Sequence, residues 1–123
     1  MSNKYIMFKK GGDYILNQVI LVGRLVKDPE LHETDSNYKV TRIVLAVPRS
    51  FKNSSGVYDT DFVPCIIWRG VAENVCEYCK KGDLIGIKGH IETGSYDDSE
   101  GNKKYTLDII VEKVTFLSGK KEA

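Results

Sequence analysis

Residues 61–69 read DFVPCIIWR, and the alternation within them decides the fold. A strand's period of two puts Val63, Cys65 and Ile67 on one face and Phe62, Pro64, Ile66 and Trp68 on the other. A small single barrel has one interior, which the first set fills. The second set is apolar too, and it needs its own explanation. One explanation is packing under a loop or in a subunit interface. The other is a stacking platform, since an aromatic ring accepts any nucleobase through its π-face.

C-terminal to this stretch, residues 71–79 predict a short helix. Val71, Ala72, Val75, Cys76 and Cys79 fall on one stripe at helical spacing. Lys80 and Lys81 suit the end of that helix, and Gly82 the left-handed position that stops it. Residues 84–96 form the next strand, with Ile85, Ile87, Gly89 and Ile91 on one face; Gly86 and Gly89 allow a bend or a close backbone approach. Residues 97–102 (DDSEGN) make a hairpin loop. Residues 104–116 form the last strand, with Tyr105, Leu107, Ile109 and Val111 together. Before the opening stretch, residues 53–56 (NSSG) are a loop. Residues 38–48 alternate with Ile43, Leu45 and Val47 against Arg42, Val44 and Ala46. Residues 16–25 (LNQVILVGRL) are rich in β-branched residues and end near the Asp28-Pro29 turn signal. The order β-β-β-α-β-β predicts an all-β fold with one short helix, a five-stranded OB-fold barrel. Another small barrel or a sandwich also fits the pattern.

The chain has 123 residues, one domain's worth, with 41% hydrophobic and 28% charged residues. Such a domain buries a core without disulfides or metal. No apolar run reaches membrane-spanning length. The N-terminus lacks the apolar region and cleavage site of a secretory signal. A cytoplasmic protein is expected. The net charge of +1 gives a polyanion partner no support by itself, but charge placement rather than charge sum sets the field at a groove. All four arginines, Arg24, Arg42, Arg49 and Arg69, fall in segments read as strands.

The three cysteines are an odd number, unlike a secreted disulfide framework. Cys76-Glu-Tyr-Cys79 has the spacing of a redox pair or half a zinc site. It lies near the helix's C-terminal end, where the dipole disfavours a thiolate. Cys65, His32 and His90 complete no clear zinc set. Core-facing thiols are the expectation, with no metal and no cofactor. No carboxylate pair, nucleophile–base set or phosphate loop stands out, so no catalysis is expected.

Aromatics instead stand near the ends or outer faces of three strands, among cations. Tyr96 has the parity of Lys88 and His90, and Phe51 lies between Arg49 and Lys52. Binding single strands needs that mixture, rings for bases and charge for phosphates. A scaffold subunit with weak DNA contact is the competing reading.

Residues 17–30 (NQVILVGRLVKDPE), followed by RIVLAVPRSF, DFVPCIIWRGVAENVCEYCKKGDLIGIKGHI and YTLDIIVEKVTFL, closely resemble the bacterial single-stranded DNA-binding protein family. The resemblance covers about residues 16–117. It implies stacking of bases on Phe51, Phe62, Trp68 and Tyr96, three of which parity selects independently. It fits Lys80 and Lys81 to the basic pair after the family's helix. Placement adds Arg24, Arg49, Lys52, Arg69 and Lys88 as phosphate contacts. Where the family often carries cations before Tyr96, this chain has Glu92, Thr93, Gly94 and Ser95.

The resemblance further implies a homotetramer in which the first strand pairs between subunits. Val19 and Leu21 on one face, and Ile20 and Val22 on the other, suit such an edge. The expected organisation is an extension at 1–15, the DNA-binding domain at 16–117 and a short end at 118–123. Within the extension, KYIMFKK and YIL around Gly11-Gly12-Asp13 suggest an added strand and turn. Family members end in a flexible linker and an acidic tip that recruits other proteins. Here the sequence closes on SGKKEA, so single-stranded DNA without tail-mediated recruitment is the expected partnership, as in an accessory, phage or mobile-element form.

Overall fold

The computed structural model describes residues 8–10 and 13–118. Two short strands, β1 (Phe8–Lys10) and β2 (Asp13–Ile15), pair antiparallel with Phe8 opposite Ile15. The rest is one curved sheet. Its strands are β3 (Val19–Leu25), β4 (His32–Glu33), β5 (Lys39–Lys52), β6 (Tyr58–Trp68), β7 (Leu84–Asp97) and β8 (Lys103–Phe116). A helix, α1 (Arg69–Tyr78), stands between β6 and β7. The sheet order is β3-β7-β8-β6-β5-β4, and β3 also pairs with β5. That second pairing closes β3, β5, β6, β7 and β8 into a five-stranded barrel. With the helix between its third and fourth strands, this is an OB-fold.

Closure depends on one small residue. At Arg24 and Leu25, β3 pairs with Ala46 and Leu45 of β5, while residues 19–24 pair with β7. Gly23 sits where the strands converge: a Cβ there would stand 2.7 Å from the Ala46 carbonyl oxygen. A second glycine takes up a bulge. Lys88 faces Lys113 but Gly89 faces Val111, so Glu112 is the extra residue on β8. A Cβ on Gly89 would collide with the Ile110 carbonyl. Close approach, rather than a left-handed backbone, is what both positions require.

The interior holds Leu25, Ile43, Leu45, Cys65, Ile67, Ile85, Ile87, Ile109 and Val111, capped by Ala72, Val75 and Cys79 from α1. The alternation expected along β5, β6 and β7 is therefore the alternation that fills the barrel. Thr41 is fully buried among these side chains, and its hydroxyl has no hydrogen-bond partner among the described residues.

Several expectations shift. Strands β5 and β6 are longer than predicted, reaching Lys52 and starting at Tyr58. With β7 and β8 they project beyond the barrel wall as two hairpin arms. Leu107 and Tyr105 keep the parity of Ile109 but are exposed, because the arm has no interior to fill. Arg69 is not on a strand. It is the first helical residue, with φ of 63°. The helix stops at Tyr78, so Lys80 and Lys81 lie beyond its last turn. Gly82 is left-handed (φ 90°) but serves a separate turn, in which the Asp83 N–H donates to the Lys80 carbonyl at 3.0 Å. The short strand β4 was not anticipated. In the expected N-terminal strand and turn, residues 4–7 and 11–12 lie outside the described residues, as do Lys120 and Lys121. No helix among the described residues is long and apolar enough to cross a membrane.

Candidate nucleic-acid interface

The outer face of β6 is as apolar as the sequence reads, but it is not uniformly covered. Ile66 is buried, whereas Phe62 is 64% and Trp68 38% exposed. Phe51, at 82%, and Tyr96, at 57%, are exposed on the two arms. β6 and β8 run parallel with Cys65 opposite Ile109. Phe62 precedes that rung, and so does Lys104, which pairs with Tyr96. Phe62 and Tyr96 therefore lie on one side of the rung and Trp68 on the other. Phe51 lies near the tip of the β5–β6 arm, past the Pro48–Thr60 pair.

Cross-strand register brings one cation to this surface directly. Arg24 pairs with Ala46, and Ala46 pairs with Phe62. Paired residues point to the same side, so Arg24 and Phe62 flank a small alanine on the outer face. Arg24 Nη1 donates to the Gly82 carbonyl at 2.9 Å, which fixes the guanidinium. Arg49 is held by Asp61: Nε and Nη2 donate to its two carboxylate oxygens at 3.0 and 2.9 Å. That hydrogen-bonded pairing lowers the Asp61 pKa and raises that of Arg49. Arg49 Nη1 is outside the fork and can meet another anion. Lys52 Nζ stands 5.7 Å from the Tyr58 ring, and the Arg69 guanidinium 4.6 Å from the Tyr38 ring.

Other predicted cations are not drawn into this row. Lys80 and Lys81 follow α1 in a turn whose backbone is tied by carboxylates. The Lys80 N–H donates to Asp83 at 2.9 Å, and the Lys81 N–H to Asp28 at 2.7 Å. Lys88 lies between Ile20 of β3 and Lys113 of β8. It shares the parity of Tyr96 but sits eight residues away, about 26 Å along a strand. Its neighbours Ile20 and Val22 are 66% and 48% exposed, while Val19 and Leu21 pack against the core. Among the described residues, 19–23 are paired on one edge only, to β7.

Near the bulge, His90 is clamped between two carboxylates. Its Nδ1 lies 2.6 Å from Glu112 and its Nε2 2.7 Å from Glu92. The hydrogen bonds to Glu92 and then Glu112 raise its pKa, and partial burial opposes them. Burial raises the Cys65 thiol to about 11. Cys79 is buried and Cys76 half-buried. No His, Cys, Asp or Glu cluster suited to a metal occurs among the described residues.

Three exposed tyrosines near these rings are not among the site residues that the sequence predicts. Tyr58 shares the parity of Phe62, but the polar Asp59 and Thr60 hid the start of β6. Tyr105 faces Ser95, next to Tyr96, at the exposed end of the other arm. Tyr38 immediately precedes β5 and meets Arg69 only through the tertiary fold.

The sequence model of the Single-strand binding protein family matches residues 16–117. Single-stranded DNA-binding protein B of Bacillus subtilis is 46% identical over 106 residues, covering 86% of this chain and 94% of that protein. Single-stranded DNA-binding protein 3 of Listeria innocua is 44% identical over 106 residues, covering 86% of this chain and 66% of that protein. The single-stranded DNA-binding protein of Halalkalibacterium halodurans is 47% identical over 103 residues, covering 84% and 61%. The chain thus spans less than two thirds of the length of the last two.

Proposed function

The chain belongs to the single-strand binding protein family, and from that premise we propose a non-catalytic protein that binds and protects single-stranded DNA with little sequence preference. Replication, recombination and repair are the processes that expose such strands, and the bacterial cytoplasm is where they occur. One observation carries the reading: Phe51, Phe62, Trp68 and Tyr96 are all exposed although each is a large aromatic. A ring left in water on a rigid strand is poised to take a base. Arg24, beside Phe62 across Ala46, is the best-placed phosphate contact. Arg49, Lys52 and Arg69 neighbour the rings in sequence, and Lys80, Lys81 and Lys88 extend the positive surface further out.

In the same reading, Val19, Ile20, Leu21 and Val22 form the edge through which subunits associate, as dimers and then a homotetramer. The backbone edge of residues 19–23, unpaired among the described residues, and the two exposed aliphatic side chains Ile20 and Val22 support this. The test of the DNA reading is affinity for a labelled oligo-dT, measured by anisotropy. Trp68→Ala should lose about 1–3 kcal/mol, the worth of one stacked base. Unchanged affinity contradicts the platform.

A further inference from the structure

We propose that Tyr38, Arg69 and Trp68 together form one nucleotide subsite, in which Trp68 stacks a base and the Arg69 guanidinium, seated on Tyr38, takes the adjoining phosphate. This rests on the DNA-binding reading and adds to it a residue, Tyr38, and a division of labour.

Three observations converge. Arg69 has φ of 63° without being glycine, a region that side chains enter at a cost. Gly70 is adjacent and in open space, so a glycine one position earlier would remove that cost. Yet an arginine stands at the strained position, and its guanidinium lies 4.6 Å from the Tyr38 ring centroid. A flat cation resting on a ring keeps its N–H edge free for an oxyanion.

Tyr38 is itself fixed. The Thr34 N–H donates to its carbonyl at 2.9 Å, and its own N–H donates to the Thr34 hydroxyl at 3.1 Å. Asn37 before it takes a left-handed turn at φ 67°. The ring is 46% exposed and Trp68 38%. Trp68 pairs with Val40, two residues after Tyr38, and directly precedes Arg69. The stacked Tyr38–Arg69 pair and Trp68 therefore lie together at the opposite end of β6 from Phe62. Arg69 stands where strand β6 hands the chain to α1.

The test uses the full chain with labelled oligo-dT, read by anisotropy across a salt series, together with quenching of Trp68 and thermal melting. Arg69→Gly should weaken binding about five- to tenfold and lower the salt slope by about 0.7, the single-strand value for one phosphate contact. Trp68 should still be quenched at saturation, and melting should remain a cooperative transition of a folded protein, because glycine accepts the positive φ. Tyr38→Leu should shift affinity and slope the same way. The double variant should bind as Arg69→Gly does, since both changes act through one group. If Arg69→Gly leaves affinity and slope unchanged while the parent binds, the subsite is wrong and the DNA reading stands. Additive losses in the double variant also overturn it. A parent that fails to bind oligo-dT overturns the DNA reading and the subsite with it.

Discussion

A buried hydroxyl and a clamped imidazole show how single residues set this protein's stability. Thr41 is fully buried and its Oγ1 is unpartnered among the described residues. Such a group bears its desolvation cost with no bond in return. Thr41→Val keeps the shape and removes the cost, so chemical denaturation should show a gain of about 1 kcal/mol; a loss of that size would mean the hydroxyl has a partner. His90 works in the opposite sense. Protonated, it donates to both Glu112 and Glu92, and its folded-state pKa is raised above the ordinary 6.5. Its contribution is complete below the unfolded value and disappears as pH rises through the folded one. The melting-temperature advantage of the parent over His90→Gln should therefore be full below pH 6.5 and shrink as pH rises through the raised folded-state value. A difference that stays flat with pH would contradict the clamp.

The elements were legible to different degrees. In β5 and β6 the alternation that fills the barrel is plain, because Ile43, Leu45, Cys65 and Ile67 recur at a period of two. The helix stripe is equally plain in Ala72 and Val75. The arms were not legible as arms. Tyr105 and Leu107 continue the apolar face of β8, and nothing in the alternation says where the barrel wall ends. The helix start was misplaced because a positive φ at Arg69 is set by the tertiary turn, not by residue type. For the site, Phe62 and Trp68 could be selected by parity. Tyr38 could not, since its contact with Arg69 crosses about 30 residues of chain. Gly89 was legible as a close approach, and the bulge opposite Glu112 is its reason. Gly89→Ala sets a Cβ against the Ile110 carbonyl, and overpacking of this kind costs about 1–3 kcal/mol or more. Denaturant midpoints should fall accordingly, and an unchanged midpoint would mean the bulge yields freely.

At the scale of the whole molecule, a net charge of +1 has to serve a polyanion partner. Placement makes this possible: Arg24 shares the outer face with Phe62, while several carboxylates are occupied internally, Asp61 by Arg49 and Glu92 and Glu112 by His90. Assembly into the proposed tetramer would multiply that surface. Light scattering at micromolar concentration should give a mass four times that of one chain, and Ile20→Lys, on the exposed face of β3, should lower it. A monomer mass for the parent would remove the subunit-pairing role of β3. Bases stacking on exposed rings without reading of sequence would be reported directly by the lone tryptophan, Trp68. The decisive measurement is a fluorescence titration of the unmodified protein with oligo-dT, a mixed-sequence single strand and a duplex of equal length. Both single strands should quench strongly, at similar midpoints, and the duplex should bind much more weakly. No quenching, or equal affinity for the duplex, would contradict single-strand stacking on these rings.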